Sequence, residues 1–589
     1  MIENSLGSEE RGKVGENQLE EIGYVIGEST PSRVIILSKV PPRIGEYVIV
    51  KHDEDHLLGM VEESVAGNPF IPDDMTNLGS FESWKKIVEA RNYTRGIVRI
   101  LTKVTPLLRG KRFEPPRTPP KPSYPVYRAN DSVLKTIFLP PGLKEENAHY
   151  YYSKEEKRGY VRIGILANHP GVPVFVNVDS LVSRHAAILA VTGAGKSNTV
   201  SILAERMVSG LGATVLLFDM HSEYSTSSIA EGHVNLIRPK INPSSLNIWE
   251  IQKLARIRED AHKQQSVLRY AFKQTHAHIN ELAKRDATEL LEFDLISYMK
   301  NVLECLDYFS EIDGKKERRI KGGKEKKEEM EYKPPNAVCE ELENIPRRLD
   351  RDVILNVINK LEDLEDIYKD ILSSRASMSI LDIVRPGYLN IVDLGEVDDV
   401  GSDVIASYLL RRILDERKVH LRKGGTEGYS VPVFVFLEEA HILVPREYDT
   451  LTKEVVSRIA REGRKFGVGI CLISQRPKSV DESSLSQTNN KIILKIVEPN
   501  DLRYVQSSSE LLSDELLRLL PSLRTGEAIL LGEFTKLPAL VKIDEHTGKK
   551  VGRDLGIAEL WMKGKSEAPT PEENLTDLET TMYNPEGNY

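Results

Sequence analysis

The chain has 589 residues, 29% of them charged, and a formal net charge of −9 at neutral pH. This length exceeds one ordinary domain and predicts three or four folding units. An acidic chain has no overall attraction for nucleic acid, so any DNA contact must be confined to a local basic surface.

The cysteine content and the beginning of the chain bear on its compartment. The three cysteines, Cys305, Cys339 and Cys471, lie far apart without metal-ligand spacing, which predicts a reducing compartment and no disulfide framework. The first residues lack the basic and apolar regions of a signal peptide, and no run of about eighteen apolar residues occurs. We therefore expect a cytoplasmic protein with no membrane contact.

Short β-type runs separated by glycine and proline turns fill residues 21–104, after a polar and flexible N-terminus over residues 1–20. This spacing predicts a small β-barrel. An oligonucleotide-binding barrel is a structural competitor, but no dense interleaving of aromatic and basic residues supports it. Residues 105–160 follow as a proline-rich connector.

A phosphate-binding loop of the Walker A type is predicted at Ala190–Ser197, because this stretch follows the apolar run Ala186–Leu189 and precedes a helical pattern. In such a loop the small residues let backbone N–H groups turn toward the β-phosphate. Lys196 reaches the β- and γ-oxygens, and the Ser197 hydroxyl ligates Mg²⁺. The usual first glycine is Ala190 here, which is tolerable if its φ is negative. The loop predicts ATP and Mg²⁺ as cofactors.

The helical periodicity between the two parts of the predicted sheet indicates an insertion. We expect the first part of a RecA-like core over residues 161–245, a helical insertion over 246–385 and the second part of the core over 386–545. Within the insertion, the polar segment Gly314–Glu329 is interpreted as a solvated loop rather than a DNA grip. Residues 546–589 form an acidic C-terminal extension, for which an inert solubilising end is favoured over a partner-binding tail.

A Walker B pattern occupies Val431–His441, where a run of apolar residues reads as a buried parallel strand that ends in two carboxylates. Glu438 stands where an aspartate usually holds the water shell of Mg²⁺, and Glu439 is placed to orient or deprotonate the attacking water. The plainer alternative is a core strand that runs into a helix with an acidic first turn. We interpret His221 and His441 as structural histidines.

Two more predicted strands end in polar residues suited to the same edge of a parallel sheet. Ala213–Phe218 runs into Asp219, a candidate for the network of metal-bound water, and Gly467–Ser474 runs into Gln475, a candidate sensor of the γ-phosphate. For either residue alone, capping a loop or a helix is an equally good interpretation.

A basic helical stretch between the Walker B strand and Gln475 carries Arg458, Arg461, Arg464 and Lys465. In a ring ATPase a neighbouring subunit must supply an arginine to the transition-state phosphate. Arg464 is our candidate for that role. The alternative is a solvated basic helix end that suits the helix dipole.

Taken together, these motifs resemble the HerA family of the HerA/FtsK ATPase group, and the order of the motifs is more specific than any one of them. The likeness covers roughly residues 22–542. It is carried by Arg184-His185, Phe218–Tyr224, Leu437–His441, Glu462–Gly467, Ser474–Pro477 and the predicted nucleotide-binding residues Thr192, Gly193, Ala194, Gly195, Lys196, Ser197 and Asn198.

The resemblance implies a homohexameric ring that pumps double-stranded DNA through its pore and works with a NurA-like nuclease in DNA-end resection and repair. It implies that the barrel is a ring-stabilising and partner-docking module. It also implies Lys196, Asp219 and Glu439 as ATPase residues and Arg464 as an arginine that acts on the neighbouring subunit.

The sequence thus predicts an α/β RecA-like P-loop ATPase core with an N-terminal β-barrel and an inserted helical subdomain, acting as an ATP-driven DNA translocase or helicase. A ring ATPase that moves a protein substrate is one alternative. A nucleotide-gated scaffold for a nuclease is another, although intact Lys196, Ser197 and Glu439 argue against it. GTP is disfavoured because no guanine-reading Asn-Lys-x-Asp follows the Walker B strand.

Overall fold

The computed structural model describes most of the chain from Leu19 to Gly548. The described residues are 19–71, 91–108, 114–145, 147–225, 229–230, 232–285, 293–322, 333–342, 345–346, 350–377, 379–548 and 557.

An N-terminal barrel is closed by six antiparallel strands in the order β1-β2-β5-β4-β3-β6. Val34, Ile36 and Val98 point into its own core, whereas Tyr47 and Leu58 belong to the core of the rest of the molecule. The barrel is therefore packed against its neighbour by an apolar face. Its strands are β1 Glu21–Ile26, β2 Arg33–Ser38, β3 Tyr47–Val50, β4 Leu57–Gly67, β5 Tyr93–Lys103 and β6 Pro125–Arg128.

The predicted barrel is confirmed, but its sixth strand comes from the segment predicted as connector. Pro125–Arg128 pairs with both β1 and β3 and closes the ring of strands. A proline at the first position of a strand leaves the following ladder intact, so the proline content did not exclude a strand there.

A twelve-stranded mixed sheet forms the large part of the fold, in the order β12-β13-β11-β14-β15-β10-β16-β17-β18-β8-β7, with β9 paired to β8. The block from β12 to β16 is parallel, and the strands beyond it are antiparallel. The strands are β7 Tyr150–Ser153, β8 Arg158–Leu166, β9 His169–Asn177, β10 Ala186–Leu189, β11 Thr214–Asp219, β12 Val234–Ile237, β13 Leu389–Asp393, β14 Val433–Leu437, β15 Val468–Ser474, β16 Asn490–Ile493, β17 Glu527–Leu531 and β18 Ala539–Ile543.

Helices cover the sheet and build the insertion, as the apolar strands of a parallel sheet require. Every residue of β11, β14 and β15 is buried. The α-helices are α1 Val104–Leu108, α2 Asp131–Phe138, α3 Val178–Arg184, α4 Lys196–Glu205, α5 Ile248–Leu254, α6 His262–Arg285, α7 Leu295–Gly322, α8 Arg351–Tyr368, α9 Ile380–Ile383, α10 Asp399–Arg422, α11 Ala440–Leu443, α12 Leu451–Phe466, α13 Glu482–Ser486, α14 Pro499–Ser507 and α15 Asp514–Leu519.

In the insertion, α6, α7 and α8 pack against one another. The prediction of a loop from Gly314 onward was wrong for its first part, because α7 continues to Gly322. Lysine, arginine and glutamate have good intrinsic helix propensity, so a polar segment can extend a helix that packing has already started. The rest of that predicted loop, residues 323–329, lies outside the described residues.

A disulfide joins Cys305 on α7 to Cys339 in the 3₁₀-helix Ala337–Glu340. The prediction that the chain forms no disulfide was therefore wrong. The two residues are 34 apart in sequence, yet the return of the chain along α7 brings their Cα atoms to 5.3 Å. Cys471 is a free buried thiol in β15.

Over the described ranges, none of the helices combines the length and the apolar character that a bilayer crossing demands.

Candidate active site

Four neighbouring strands bring the predicted site residues to one edge of the sheet. In the order β11-β14-β15-β10, the strands run parallel, and their carboxyl ends lead into Asp219, Glu438, Gln475 and the phosphate-binding loop. Ligands collect at this edge in open parallel sheets.

The phosphate-binding loop has the backbone that its function needs. Gly193 and Gly195 have φ values of 77° and 109°, where a side chain would be strained, and α4 begins at Lys196. Ala190 is outside the positive-φ region, so alanine meets the condition for replacing the usual first glycine. A helix N-terminus that follows a glycine loop of this kind favours an anion.

Lys196 is buried and already holds the two Walker B carboxylates. Its Nζ lies 2.7 Å from Glu439 Oε1 and 3.2 Å from Glu438 Oε1, and its side chain is 6% exposed. Burial lowers the pKa of Lys196, but the two carboxylates outweigh burial and raise it above its ordinary value. The ammonium is therefore charged and held by two carboxylates, and its binding of the β- and γ-oxygens of a nucleotide stays a prediction.

Glu439 is the centre of a hydrogen-bonded network. Its Oε1 also accepts from Gln475 Nε2 at 2.9 Å, and Gln475 Oε1 in turn accepts from Thr192 Oγ1 at 2.5 Å. The backbone of Glu439 is left-handed, with a φ of 46°, and such strained residues cluster at functional sites. The structure thus joins Gln475, Glu439, Lys196 and the loop residue Thr192.

Burial raises the pKa of Glu439, but His441 and Lys196 outweigh it and lower this pKa to about 2. His441 Nδ1 lies 3.2 Å from Glu439 Oε2. Our interpretation of His441 as a purely structural histidine overlooked this contact. The signal that could have found it is its i+2 position after Glu439, at the start of the short helix α11.

Glu438 is fully buried beside Lys196 and receives a long hydrogen bond of 3.4 Å from the Tyr224 hydroxyl. Burial raises the pKa of Glu438 to about 7, although Lys196 opposes the shift. Its Oε2 has no hydrogen-bond partner among the described residues. A buried carboxylate oxygen without a partner is costly and is typical of a site that a ligand completes.

Glu223 is the site residue that the sequence interpretation missed. Its Oε2 accepts a hydrogen bond of 2.7 Å from the Ser197 hydroxyl, the group predicted to ligate Mg²⁺. Glu223 belongs to the turn after β11, four residues beyond Asp219. A carboxylate in the stretch Asp219–Tyr224 was visible in the sequence, but the shape of the turn that directs it was not.

Asp219 is fully buried, and its carboxylate binds the turn that follows it. Oδ1 accepts from the Glu223 N–H at 3.0 Å, and Oδ2 accepts from the N–H groups of Tyr224 and Ser225, both at 2.9 Å. These contacts match the alternative interpretation of Asp219 as a residue that caps the loop after its strand. Asp219 shapes the turn that carries Glu223, and its role in the metal-water network stays a prediction.

Asn198 holds the C-terminal end of the described core. Its Nδ2 donates to the Asp544 carbonyl at 2.8 Å, and its Oδ1 accepts from the His546 N–H at 2.9 Å. The amide nitrogen and the amide oxygen of Asn198 are thus both hydrogen-bonded to the backbone. A nucleotide contact by Asn198 stays a prediction that competes with this structural role.

Arg464 lies in the last turn of α12 and is exposed. It makes no hydrogen bond or ion pair with any described residue, whereas Arg458 on the same helix pairs with Asp415 and Glu462. The structure therefore does not place Arg464 at the site of its own subunit.

The residues present fit a magnesium-bound nucleotide. The Oε2 atom of Glu438, which has no partner among the described residues, and the glycine cradle leave polar groups for such a ligand to satisfy. The described residues hold no group of three or more His, Cys, Asp or Glu side chains arranged for a metal ion alone.

Comparison with known proteins identifies the family. The model of the central domain of helicase HerA matches residues 161–413, and the HAS-barrel model matches residues 22–105. A DNA double-strand break repair helicase HerA from Sulfolobus acidocaldarius is 37% identical over 549 residues, which cover 93% of this chain and 97% of that protein. This chain belongs to the HerA family.

Two further relatives support the same family assignment. A probable helicase from Methanocaldococcus jannaschii is 36% identical over 547 residues, covering 92% of this chain and 94% of that protein. The HerA of Saccharolobus solfataricus is 36% identical over 545 residues, covering 92% and 96%. The resemblance predicted from the motif order is confirmed. So is the predicted fold, a P-loop ATPase core that follows a HAS-type barrel.

Proposed function

We propose that this HerA-family chain is an ATP-driven motor that assembles as a homohexameric ring and translocates double-stranded DNA. The observation that carries the proposal is the hydrogen-bonded link from Lys196 through Glu439 to Gln475. It joins a candidate phosphate-binding lysine, a candidate water-activating carboxylate and a candidate γ-phosphate sensor, which follow three separate strands of the sheet.

Each residue has a task in hydrolysis. Lys196 binds the β- and γ-oxygens and leaves the carboxylates that now hold it. Glu439 orients the attacking water and accepts its proton, while the bond from the γ-phosphorus to the bridging oxygen breaks and ADP leaves with the electron pair. Gln475, bound to both Glu439 and Thr192, links the arrival of the γ-phosphate to the position of Glu439.

Ser197 and Glu438 would hold Mg²⁺, with Glu223 as a further ligand to its water shell. When bound, the ion neutralises charge on the phosphate oxygens. Glu223 accepts a hydrogen bond from the Ser197 hydroxyl and thereby orients that oxygen. The rigid turn held by Asp219 keeps Glu223 in place.

The remaining transition-state charge requires an arginine from a neighbouring subunit. Arg464 is exposed and unpaired within the described part of its own chain, as such a residue must be before assembly. A ring follows from this requirement, because each site is complete only at an interface. We further propose that the ring works with a NurA-like nuclease in DNA-end resection, which the naming of its relatives as DNA double-strand break repair helicases supports.

The ATPase rate with and without linear duplex DNA tests the substrate. A DNA motor is stimulated by duplex, and its affinity falls steeply with salt because the contacts neutralise phosphates. A ring that moves a protein shows turnover but no stimulation by duplex at any salt concentration. A nucleotide-gated scaffold for a nuclease shows binding without turnover.

A further inference from the structure

The imidazole of His441 contacts one oxygen of the Glu439 carboxylate, and two other residues hold the second oxygen. His441 Nδ1 lies 3.2 Å from Glu439 Oε2. Lys196 and Gln475 both donate to Glu439 Oε1, at 2.7 Å and 2.9 Å. The two oxygens of this carboxylate are therefore held by different groups, and the mechanism proposed above uses only those at Oε1.

The contact between His441 and Glu439 requires a hydrogen on Nδ1 of the ring. A bare ring nitrogen would turn its lone pair toward an ionised carboxylate, which can only accept, whereas an Nδ1–H group can donate to it. Ser474 Oγ lies 3.4 Å from the same nitrogen and accepts from the Arg476 N–H at 3.0 Å. The ring nitrogen is therefore placed between a charged acceptor and a hydroxyl that the backbone orients.

The backbone brings the two side chains together through one short turn. Glu439 is the N-cap of α11 and has a left-handed backbone, and its carbonyl accepts from the Ile442 N–H at 2.7 Å. His441 lies inside α11, two residues after Glu439. The neighbouring strand β15 ends at Ser474, which contacts His441, and the next residue, Gln475, contacts Glu439. A strained backbone persists only where its surroundings hold it, and these paired contacts do so.

Nucleotide binding has different consequences for the two oxygens of Glu439. In the proposed mechanism Lys196 leaves Oε1 for the phosphate, and a carboxylate held by Gln475 alone is then free to turn, because the terminal torsion of glutamate is soft. The contact of His441 with Oε2 takes no part in phosphate binding and remains. Burial raises the pKa of Glu439, and the contact with His441 is the largest of the effects that lower it to about 2. His441 thus keeps the carboxylate both oriented and ionised.

We propose that His441 is a positioning residue for ATP hydrolysis, which holds Glu439 Oε2 while Oε1 turns to the attacking water. This inference rests on the proposed function of Glu439 and adds to it the group that fixes its direction. Ser474 supports the imidazole from the end of β15. Replacement of a histidine that only stabilises the fold would alter unfolding, whereas replacement of a positioning residue lowers kcat and leaves nucleotide binding intact.

Three substitutions of His441 in the full-length protein separate the Nδ1 contact from the bulk of the ring. His441→Asn keeps an N–H donor at the same number of bonds from Cβ as Nδ1, His441→Gln carries its donor one bond further, and His441→Leu has no donor. His420→Leu is the matched control, because the ring of His420 lies in the last turn of α10 and contacts the carbonyl of Glu427 at 3.1 Å rather than a residue of the site.

We expect His441→Leu to lower kcat for ATP about 10- to 100-fold, since a catalytic group that is misplaced by about 1 Å loses rate on this scale. KM for ATP and the affinity for a fluorescent nucleotide stay unchanged, because the imidazole has no phosphate to bind. His441→Asn recovers most of kcat, His441→Gln does not, and His420→Leu equals the parent. In a Glu439→Gln background His441→Leu has no further effect, because the group that it positions is already disabled.

The same series distinguishes failure of this proposal from failure of the proposed function. A Glu439→Gln protein that hydrolyses ATP normally contradicts the role of Glu439 itself. If Glu439→Gln is inactive, a normal kcat of His441→Leu contradicts the positioning role alone, and so does a loss of nucleotide affinity as large as the loss of kcat. Thermal unfolding identifies a His441→Leu protein that does not fold. His441→Asn and His441→Gln then decide, and equal kcat values of these two variants overturn the proposal.

Discussion

Lys196 and Glu439, which are 243 residues apart in sequence, are joined by a hydrogen bond of 2.7 Å at the edge of the sheet. This hydrogen bond connects the end of the phosphate-binding loop to the residues that follow the Walker B strand. In the proposed mechanism, incoming phosphate oxygens compete with Glu439 for the ammonium of Lys196. Nucleotide binding would then release Glu439 toward the attacking water.

Glu439→Gln is expected to bind ATP but not to cleave it. The amide fills the same space and can still contact Gln475, but it cannot accept a proton, which lowers turnover about 10²- to 10⁴-fold. Nucleotide affinity should be equal or tighter, because Lys196 loses one of the two carboxylates that hold it. Fluorescent-nucleotide titration and phosphate release measure the two effects.

Glu438→Gln is the matched control, since it removes the neighbouring charge. It should shift the Mg²⁺ dependence of hydrolysis rather than the water-activating step. If Glu438→Gln were silent and Glu439→Gln lost only metal affinity, the roles of the two carboxylates would have to be exchanged.

Glu223→Gln is expected to raise the Mg²⁺ concentration needed for half-maximal hydrolysis, because the Ser197 hydroxyl loses its charged acceptor. Magnesium titrations of ATPase rate measure the shift. A wild-type magnesium dependence would remove Glu223 from the metal site.

Asp219→Ala should have a different signature from Glu223→Gln. Three backbone N–H groups of the turn lose their acceptor. An unsatisfied buried group costs about 1–3 kcal/mol, so the free energy of unfolding should fall by at least this amount. Denaturant unfolding of the two variants compares them directly, and a fully stable Asp219→Ala protein would contradict the capping role.

Arg464→Ala is expected to keep nucleotide binding and to lose hydrolysis about 10³-fold or more, as for other arginines that act on a neighbouring site. Mixed rings of Lys196→Ala and Arg464→Ala subunits, each inactive alone, should regain part of the activity because some interfaces pair an intact loop with an intact arginine.

Arg461→Ala, on an exposed position of the same helix, is the control and should remain active. Absence of recovery across a range of mixing ratios, in rings shown to contain both variants, would return Arg464 to the role of a solvated helix end.

Much of the catalytic edge could be predicted from the sequence because each strand there is a continuous apolar run that ends in a polar residue. One such run ends at Leu437, directly before Glu438, and another ends at Ser474, directly before Gln475. The carboxyl ends of parallel strands lie at the same edge of a sheet. The structure confirms that these strands are neighbours. The assignments of individual site residues stay predictions that the variants above test.

The contacts made by turns and distant segments could not be predicted in this way. Glu223 reaches Ser197 only because Asp219 folds the turn between them, and Asn198 meets a segment 346 residues away. The disulfide of Cys305 depends on the path of the chain after α7. Local sequence periodicity carries no information on such long-range contacts, since tertiary packing determines them.

Displacement of a triplex-forming oligonucleotide from linear duplex DNA measures translocation itself, because a translocating ring strips the third strand without needing to separate the duplex. We expect ATP-dependent displacement by the wild-type protein with Mg²⁺ and none by Lys196→Ala. ATP hydrolysis at a normal rate without displacement, on duplex that the protein demonstrably binds, would contradict a DNA motor.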